Sequence, residues 1–361
     1  MRIDIHANEL KRLVKLVSPV VSSQNEKFAN VEAGLKDGAF FLHAVNEKGC
    51  DVTASTRLMA ATMADNETVL VDGDTLKRVS GSVSGNVTVI AEDMVMTICS
   101  SNGRTKIPLI NGNLPGESAP VGDTVTVNAV ALSDAIDNVL YAVARDETRL
   151  VLTGVLFRIS GGKCEMVALD GFQMAMERID AGDTGLPDMV IPADVLKIVS
   201  SGLEDGDVEI ATDGKRVSLK TDGMTVSATL LSGRFIDWQR VVPTTYSTMA
   251  RANTETLIGL LKGAGAAENK SGLIRLNFTQ DGVKVSCNSE SADYEGEMLC
   301  DVTGSDLTIA FNKGYLMNAL NTMPGGDVEL RLNSSVQPIV IVTPENREKG
   351  FRLALPVRVQ Q

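Results

Sequence analysis

Aromatic residues make up 4% of this 361-residue chain, and tryptophan occurs once, at Trp238. Binding single-stranded nucleic acid by stacking needs several exposed rings, so that mode is disfavoured. The five cysteines (Cys50, Cys99, Cys164, Cys287, Cys300) are odd in number and show no Cys-x-x-Cys spacing. That argues against a disulfide framework and a zinc site, and for reduced thiols in a cytoplasm. The two histidines, His6 and His43, have no second histidine at metal-ligating spacing, so neither is expected to be catalytic or metal-bound. No glycine-rich phosphate loop of the Walker or dinucleotide type is present, and no cofactor or metal is expected. No run of 18 apolar residues occurs, which excludes a membrane-spanning helix. Met1 to His6 show no apolar stretch leading to a cleavage site, so no signal peptide is expected. Basic charge is also short: 34 Lys and Arg stand against 46 Asp and Glu, a net −12. On totals alone, that disfavours a nucleic-acid binder.

What is present is glycine and alternation. The 32 glycines often follow Asp or Ser, as in Asp37-Gly38, Ser84-Gly85, Asp213-Gly214, Asp222-Gly223 and Asp281-Gly282. Such pairs between alternating segments signal hairpins. Val208 to Ala211, Arg216 to Lys220 and Val226 to Leu230 alternate cleanly, so the chain is mostly β. An apolar fraction of 43% over this length suits a globular chain of two or three domains.

A threefold repeat organises these segments. Thr75–Val79, Val195–Val199 and Tyr315–Ala319 each read as a short helix. Each is followed by a Gly-Asn or Gly-Asp turn and alternating strands from Gly85, Gly206 and Gly326. Leu76, Leu196 and Leu316 are spaced 120 residues apart both times. An earlier half with the same grammar opens each unit, with helices predicted from Asn8 to Val17, Leu132 to Ala144 and Thr256 to Leu261. The expectation is an α+β chain of three repeated domains, 1–122, 123–247 and 248–361, each with two helices packed on two sheets. The Pro/Gly/Ser stretch Asn113 to Pro120 marks the first boundary, and Val242 to Thr245 lie just before the second.

Catalytic chemistry finds little footing. Carboxylates are many, but an acidic surface supplies them by default; Asp170, before Gly171, reads as a turn residue. A carboxylate hydrolase would need two acids paired in a cleft, which sequence cannot show. No enzyme site is predicted.

Several segments do match a known family. Gly154 to Phe157, Ala168 to Gly171, Gly233 to Trp238 with Arg240 to Pro243, Phe311 to Leu316 and Ala354 to Arg358 resemble bacterial DNA sliding clamps, the β subunit of the replicative DNA polymerase III holoenzyme. Their order, their spacing and the 120-residue period carry the resemblance together. It implies a processivity factor without catalytic activity: a head-to-tail homodimer forming a pseudo-sixfold ring around double-stranded DNA. Domain one of each copy would meet domain three of the other, edge strand to edge strand. Because a ring holds DNA by topology, a modest basic lining suffices. The expected lining residues are Lys11, Arg12 and Lys15, on the face opposite Leu10, Leu13, Val14 and Val17, with Lys77, Arg78, Lys197, Lys262 and Lys313. The first helix of the second repeat departs from this, with Asp134, Asp137 and Asn138 on its polar face.

The resemblance further implies an apolar pocket for linear motifs of the replicative polymerase, the clamp loader, and repair and translesion polymerases. In the second repeat it comprises Leu152, Leu169, Gly171, Phe172, Gln173, Met174, Ile236, Arg240 and Val241. The third adds Asn312, Tyr315, Val336, Pro338, Leu353, Leu355, Pro356, Val357 and Arg358. Leu169 and Val241, taken alone, read as core. Phe172-Gln173 replace a common His-Arg, Ile236 replaces a common proline, and Val359 to Gln361 extend past the usual end, so altered selectivity is expected. The competing class is a monomeric repeat-built scaffold that never encircles DNA.

Overall fold

One order of elements appears three times. In the computed structural model, which describes residues 1–58, 67–116, 119–120, 122–182, 185–267, 272–345 and 347–358, the first pass opens with β1 (Arg2–His6), α1 (Ala7–Val17), β2 (Asn30–Lys36), β3 (Ala39–Val45) and β4 (Asp51–Arg57). It continues with β5 (Thr68–Asp72), α2 (Gly73–Ser82), β6 (Asn86–Glu92), β7 (Val95–Ser100) and β8 (Gly103–Pro108). The second pass begins β9 (Thr124–Asn128), α3 (Ala129–Leu140), β10 (Gly154–Ser160), β11 (Lys163–Leu169) and β12 (Gln173–Asp180). It ends β13 (Met189–Pro192), α4 (Ala193–Gly202), β14 (Asp207–Thr212), β15 (Arg216–Lys220) and β16 (Met224–Thr229). The third runs β17 (Thr248–Asn253), α5 (Thr254–Ala264), β18 (Leu273–Thr279), β19 (Gly282–Asn288), β20 (Asp293–Met298) and an added β21 (Asp301–Gly304). It closes with β22 (Leu307–Asn312), α6 (Lys313–Asn321), β23 (Asp327–Leu332), β24 (Ile339–Val342) and β25 (Gly350–Ala354).

The repeat reaches individual hydrogen bonds. In each pass the strand before the first helix pairs antiparallel with the strand after the second: β1 with β6, β9 with β14, β17 with β23. The amide that starts each first helix donates to a glycine carbonyl: Ala7 N to Gly85 O (2.8 Å), Ala129 N to Gly206 O (2.9 Å) and Thr254 N to Gly326 O (2.8 Å). Those glycines sit at φ of +68°, +124° and +104°, where a Cβ is disfavoured, which is why Gly-Asn and Gly-Asp recur. Leu76, Leu196 and Leu316 are each buried. Asx side chains cap the helices, as with Asp72 accepting from Thr75 N (2.8 Å) and Asn253 from Thr256 N (3.0 Å). α3 begins earlier than its apolar pattern suggests, because Asn128 accepts from Ala131 N (3.0 Å). Four of the predicted Asp-Gly pairs join successive antiparallel strands. Ser84-Gly85 does not make a hairpin: it links α2 to β6, since β5 pairs with β2.

Contacts separate the chain into two compact units, and the cut falls within the second repeat. The first unit (Met1–Ser133, Ala181–Pro187, Asp194–Leu230) contains a four-stranded sheet, β1-β6-β7-β8, and an eight-stranded one, β5-β2-β3-β4-β16-β15-β14-β9. α1 packs on β3 and β4 through Leu10, Leu13, Val14 and Val17. The second unit (Asp134–Asp180, Asp188–Ala193, Leu231–Gln361) contains a nine-stranded sheet, β13-β10-β11-β12-β25-β24-β23-β17-β21, and a four-stranded one, β20-β19-β18-β22. The β4–β16 and β12–β25 pairs carry each long sheet across a repeat junction. Ladder hydrogen bonding therefore continues from one repeat into the next. Among the described residues no helix is long and apolar enough to cross a membrane. All five cysteines are free thiols, three of them buried.

His43 ties three neighbouring strands of the eight-stranded sheet together. Its Nδ1 lies 3.1 Å from Glu32 Oε2 and its Nε2 3.0 Å from Asp51 Oδ2, so one ring bridges β2, β3 and β4. Burial works against the ring's charge, but hydrogen bonds to Asp51 and Glu32 outweigh it, raising its pKa from 6.5 to about 9. The same bond to His43 holds the Glu32 carboxyl below its usual range, against burial. The imidazolium's stabilisation is therefore fully present below pH 6.5 and lost as pH rises through about 9. Glu32 contributes above the ordinary carboxylate range, and its contribution is lost as pH falls. His43→Ala should cost on the order of 2–3 kcal/mol near neutrality, with the gap to the parent narrowing through the alkaline range. Urea unfolding at a series of pH values checks this; a gap independent of pH would contradict it.

Candidate peptide-binding pocket and basic helix faces

The turn between β11 and β12 fixes where the candidate residues Phe172 and Gln173 point. Asp170 Oδ1 accepts from Phe172 N (2.8 Å) and Gln173 N (2.9 Å), while Gly171 adopts φ +97°. Asp170 is thus the turn residue that its sequence context indicates. The turn throws Phe172 outward, 58% exposed, and sends Gln173 inward, 6% exposed. Gln173 Nε2 donates to Asp170 Oδ2 (2.9 Å) and Tyr141 O (3.3 Å), and its Oε1 accepts from Asn318 Nδ2 (3.4 Å). The Phe172 ring stacks on Tyr315 of α6, with centroids 5.9 Å apart and planes 10° from parallel. Asn312 positions that helix by accepting from Gly314 N (2.8 Å) as its N-cap. Burial, then the Asp170 charge, raises the Tyr315 phenol's pKa.

The chain's C-terminal segment forms one wall. Leu355 N donates to Phe172 O (2.8 Å), extending the β12–β25 ladder past Gln173 and Ala354. Val357 N then donates to Ala310 O on β22 (2.8 Å). Beneath lies one apolar cluster that gathers Leu152, Leu169, Met174 and Leu353 with Trp238, Val340, Val342 and Phe351, and Leu355 packs at its margin. Leu169 is core, as its pattern suggests. Val241 is not: it is 43% exposed, because the turn at Trp238–Arg240 buries the indole instead. Phe172, Ile236, Val241, Val336 and Val357 are the candidate residues that leave large apolar side chains exposed. Pro338 and Pro356 are half-buried. Arg358 is exposed, and Arg240 is an exposed side chain paired with Asp237 (2.7 Å). Val359 to Gln361 lie outside the described residues, as do Glu117 and Ser118 of the first linker. Trp238, Phe235 and Val151 join the same cluster without having been singled out; the only sequence signal was a lone tryptophan in a matching segment.

The basic candidates lie on helices. On α1, Lys15 is exposed and Lys11 and Arg12 half-buried. Arg12 Nε contacts Glu9 (3.1 Å), and its Nη2 donates to Ser55 O (3.1 Å). Arg12 and Lys15 border a cavity of about 190 Å³ with Leu16, Ser201, Leu203 and Glu204. Lys77 and Arg78 are exposed on α2, and Lys197 is exposed on α4, 3.0 Å from Asp194. Lys262 is exposed in the last turn of α5, where the helix dipole favours a cation, and Lys313 is half-buried as the first residue of α6. On α3, Asp134 and Asp137 are exposed and border a cavity of about 360 Å³ with Asn138, Glu177, Lys349 and Arg352.

Sheet edges differ in their cover. Ile110 N bonds Leu70 O on β5 (2.9 Å), Gly182 N bonds Thr126 O on β9 (3.3 Å), and Leu231 N bonds Val190 O on β13 (2.9 Å). β8 and β20 end their sheets in rows of exposed side chains. β8 presents Arg104 and Lys106; β20 presents Asp293, Glu295 and Glu297, with Leu299 just beyond it 87% exposed.

The thrice-repeated order and the sheets carried across repeat junctions define an α+β protein of the clamp class. Residues 126–237 match the central domain of the DNA polymerase III β subunit and 239–358 its C-terminal domain, together well over half of the chain. A β sliding clamp from Synechocystis is 28% identical over 291 residues, 73% of each chain. One from Chlamydia muridarum is 29% identical over 241 residues, 65% of this chain and just under two thirds (64%) of that protein. The crystal structure of the DNA polymerase III β subunit from Pseudomonas aeruginosa superposes with a TM-score of 0.90 at 21% identity, covering 99% of this chain and 100% of that one. The chain belongs to the bacterial β sliding clamp family, the β subunit of DNA polymerase III.

Proposed function

We propose that this chain is a DNA sliding clamp and processivity factor with no catalytic activity of its own, acting in the cytoplasm. Two copies join head to tail into a ring around duplex DNA, and the pocket tethers the replicative polymerase, the clamp loader, and repair and translesion polymerases. Tethering raises a partner's effective concentration at the primer end. The three repeats, 1–122, 123–247 and 248–361, serve as the three clamp domains of each half-ring. The observation that carries this is the threefold element order, down to the three glycine-carbonyl bonds, in a chain matched by two clamp-domain models.

Two features support the assembly. The basic faces of α1 and α2 supply local positive charge in a chain of net −12, which is enough where topology rather than phosphate affinity holds the DNA. The basic β8 edge and acidic β20 edge are complementary, so one copy's β8 can pair with another's β20 and close the ring. The acidic α3 face contributes little to DNA contact.

A clamp-consensus pentapeptide tests the pocket. Phe172→Asp should weaken it by about thirtyfold, as for an aromatic hot spot, while leaving the exposed position's fold intact. Unchanged binding would remove the pocket assignment. Met174 is buried, so its charged variants report on folding instead.

A further inference from the structure

The cavity of about 360 Å³ lies wholly within the second unit, and none of the residues assigned to the peptide pocket lines it. Its size is at the small end of ligand pockets, which run to about 300–1,000 Å³. Glu177 of β12 lines it and is only 5% exposed. Arg352 Nη2 takes Glu177 Oε1 (2.6 Å), and no described residue donates to Oε2. Gly350, also on the lining, leaves that oxygen uncovered: a Cβ there would stand 3.0 Å from it. A carboxylate oxygen so deeply set and without a donor calls for a specific reason.

The other charged groups on the lining decide what this oxygen can receive. Asp134 and Asp137 are exposed and share a face of α3, while Lys349 and Arg352 supply the positive charge. Three carboxylates against two cations leave one negative charge in excess, which suits a monocation and disfavours a phosphate. Among the described residues no three acid, His or Cys side chains gather closely enough to hold a metal ion. A guanidinium fork wants two acceptor oxygens, whereas an ammonium is a point charge that a single oxygen can serve. We propose that this cavity binds a small primary amine, whose ammonium donates to Glu177 Oε2 in the field of Asp134 and Asp137 while its carbon chain lies against Met323. Occupancy gives Glu177 a partner on each oxygen. It thereby stabilises, by mass action, the junction that Arg352 makes between β12, β25 and α6.

The test uses the full-length protein with labelled methionine methyl groups, and n-butylammonium chloride as the probe. The Met323 methyl signal, identified with Met323→Leu, should shift saturably at millimolar amine, and the unfolding temperature should rise. Tetramethylammonium chloride at equal ionic strength carries the same charge without an N–H donor and should do neither; magnesium chloride should likewise do neither. Asp134→Asn with Asp137→Asn, altered only at exposed positions, leaves the Arg352 bond in place and should weaken the amine by about three- to fivefold. Glu177→Gln keeps an oxygen for Arg352 but removes the charge, and should weaken it by about tenfold. A Met323 signal that stays still with butylammonium, or that moves equally with tetramethylammonium, would overturn the site. So would an amine affinity unchanged in the aspartate variant and in Glu177→Gln.

Discussion

Replacing Arg352 with methionine should destabilise the protein by about 3–5 kcal/mol. Arg352 lies on β25, only 2% exposed, and is among the largest fully buried side chains. Its Nη2 bonds Glu177 Oε1 on β12 (2.6 Å), its Nε bonds Thr322 Oγ1 at the end of α6 (2.8 Å), and its Nη1 reaches Met176 O (3.3 Å). One guanidinium therefore ties the junction strand of the nine-stranded sheet to the helix that carries Tyr315. Removing it strands a buried carboxylate, while the Thr322 hydroxyl keeps its bond to Ala319 O (2.9 Å), so the penalty comes mostly from that orphaned charge. Arg352→Met with Glu177→Met should recover most of the loss, since a packed apolar pair often matches a buried ion pair. Urea unfolding followed by circular dichroism reads both variants. A single-variant loss under about 1 kcal/mol would mean that the pair does not hold the junction. Because both variants lose the Arg352 anchor of α6 at Thr322, pentapeptide affinity should fall in the single variant and stay reduced in the double one.

Reversing the charge of one sheet edge should dissociate the dimer. Glu295→Lys with Glu297→Lys places four like charges across the proposed contact with Arg104 and Lys106, and such juxtaposition costs several kcal/mol. Dimer affinity should drop by at least about a hundredfold, with monomer prevailing at micromolar concentration. Glu295 also pairs with Lys284 on the neighbouring strand (2.8 Å). Both side chains are exposed, so losing that pair changes stability little. The decisive variant adds Arg104→Glu and Lys106→Glu to the same chain, exchanging the signs of both edges and restoring the dimer. Sedimentation velocity separates the outcomes. A dimer indifferent to the first pair of reversals, or not restored by the second, would place the contact elsewhere.

The repeat was legible because it is local. Gly85, Gly206 and Gly326 each require positive φ, and Leu76, Leu196 and Leu316 each face a core, so identity and spacing survive in the sequence. What joins the repeats was not legible. The β4–β16 and β12–β25 pairs link strands far apart in the chain, and nothing near Val52 or Arg352 announces a distant partner. The same holds for His43, whose alternating run gave no hint that cross-strand register places Glu32 beside it. At the candidate pocket, motif resemblance named residues but not which of them are buried and which exposed. Phe172 goes outward onto Tyr315, Gln173 goes inward to bridge Asp170, Tyr141 and Asn318, and Trp238 takes the core place that Val241's hydropathy suggested for itself. Those assignments follow from one turn at Gly171 and another at Trp238, and side-chain direction at a turn is fixed by backbone geometry rather than by residue type.

Encirclement of DNA is a topological property, and retention on circular against linear DNA reads it out. The protein, assembled by a clamp loader onto nicked circular DNA, is separated from free protein before and after the circle is linearised. A ring that slides should stay on the closed circle and be lost when the DNA gains ends. Equal retention on circular and linear DNA would mean ordinary surface binding and would contradict the clamp.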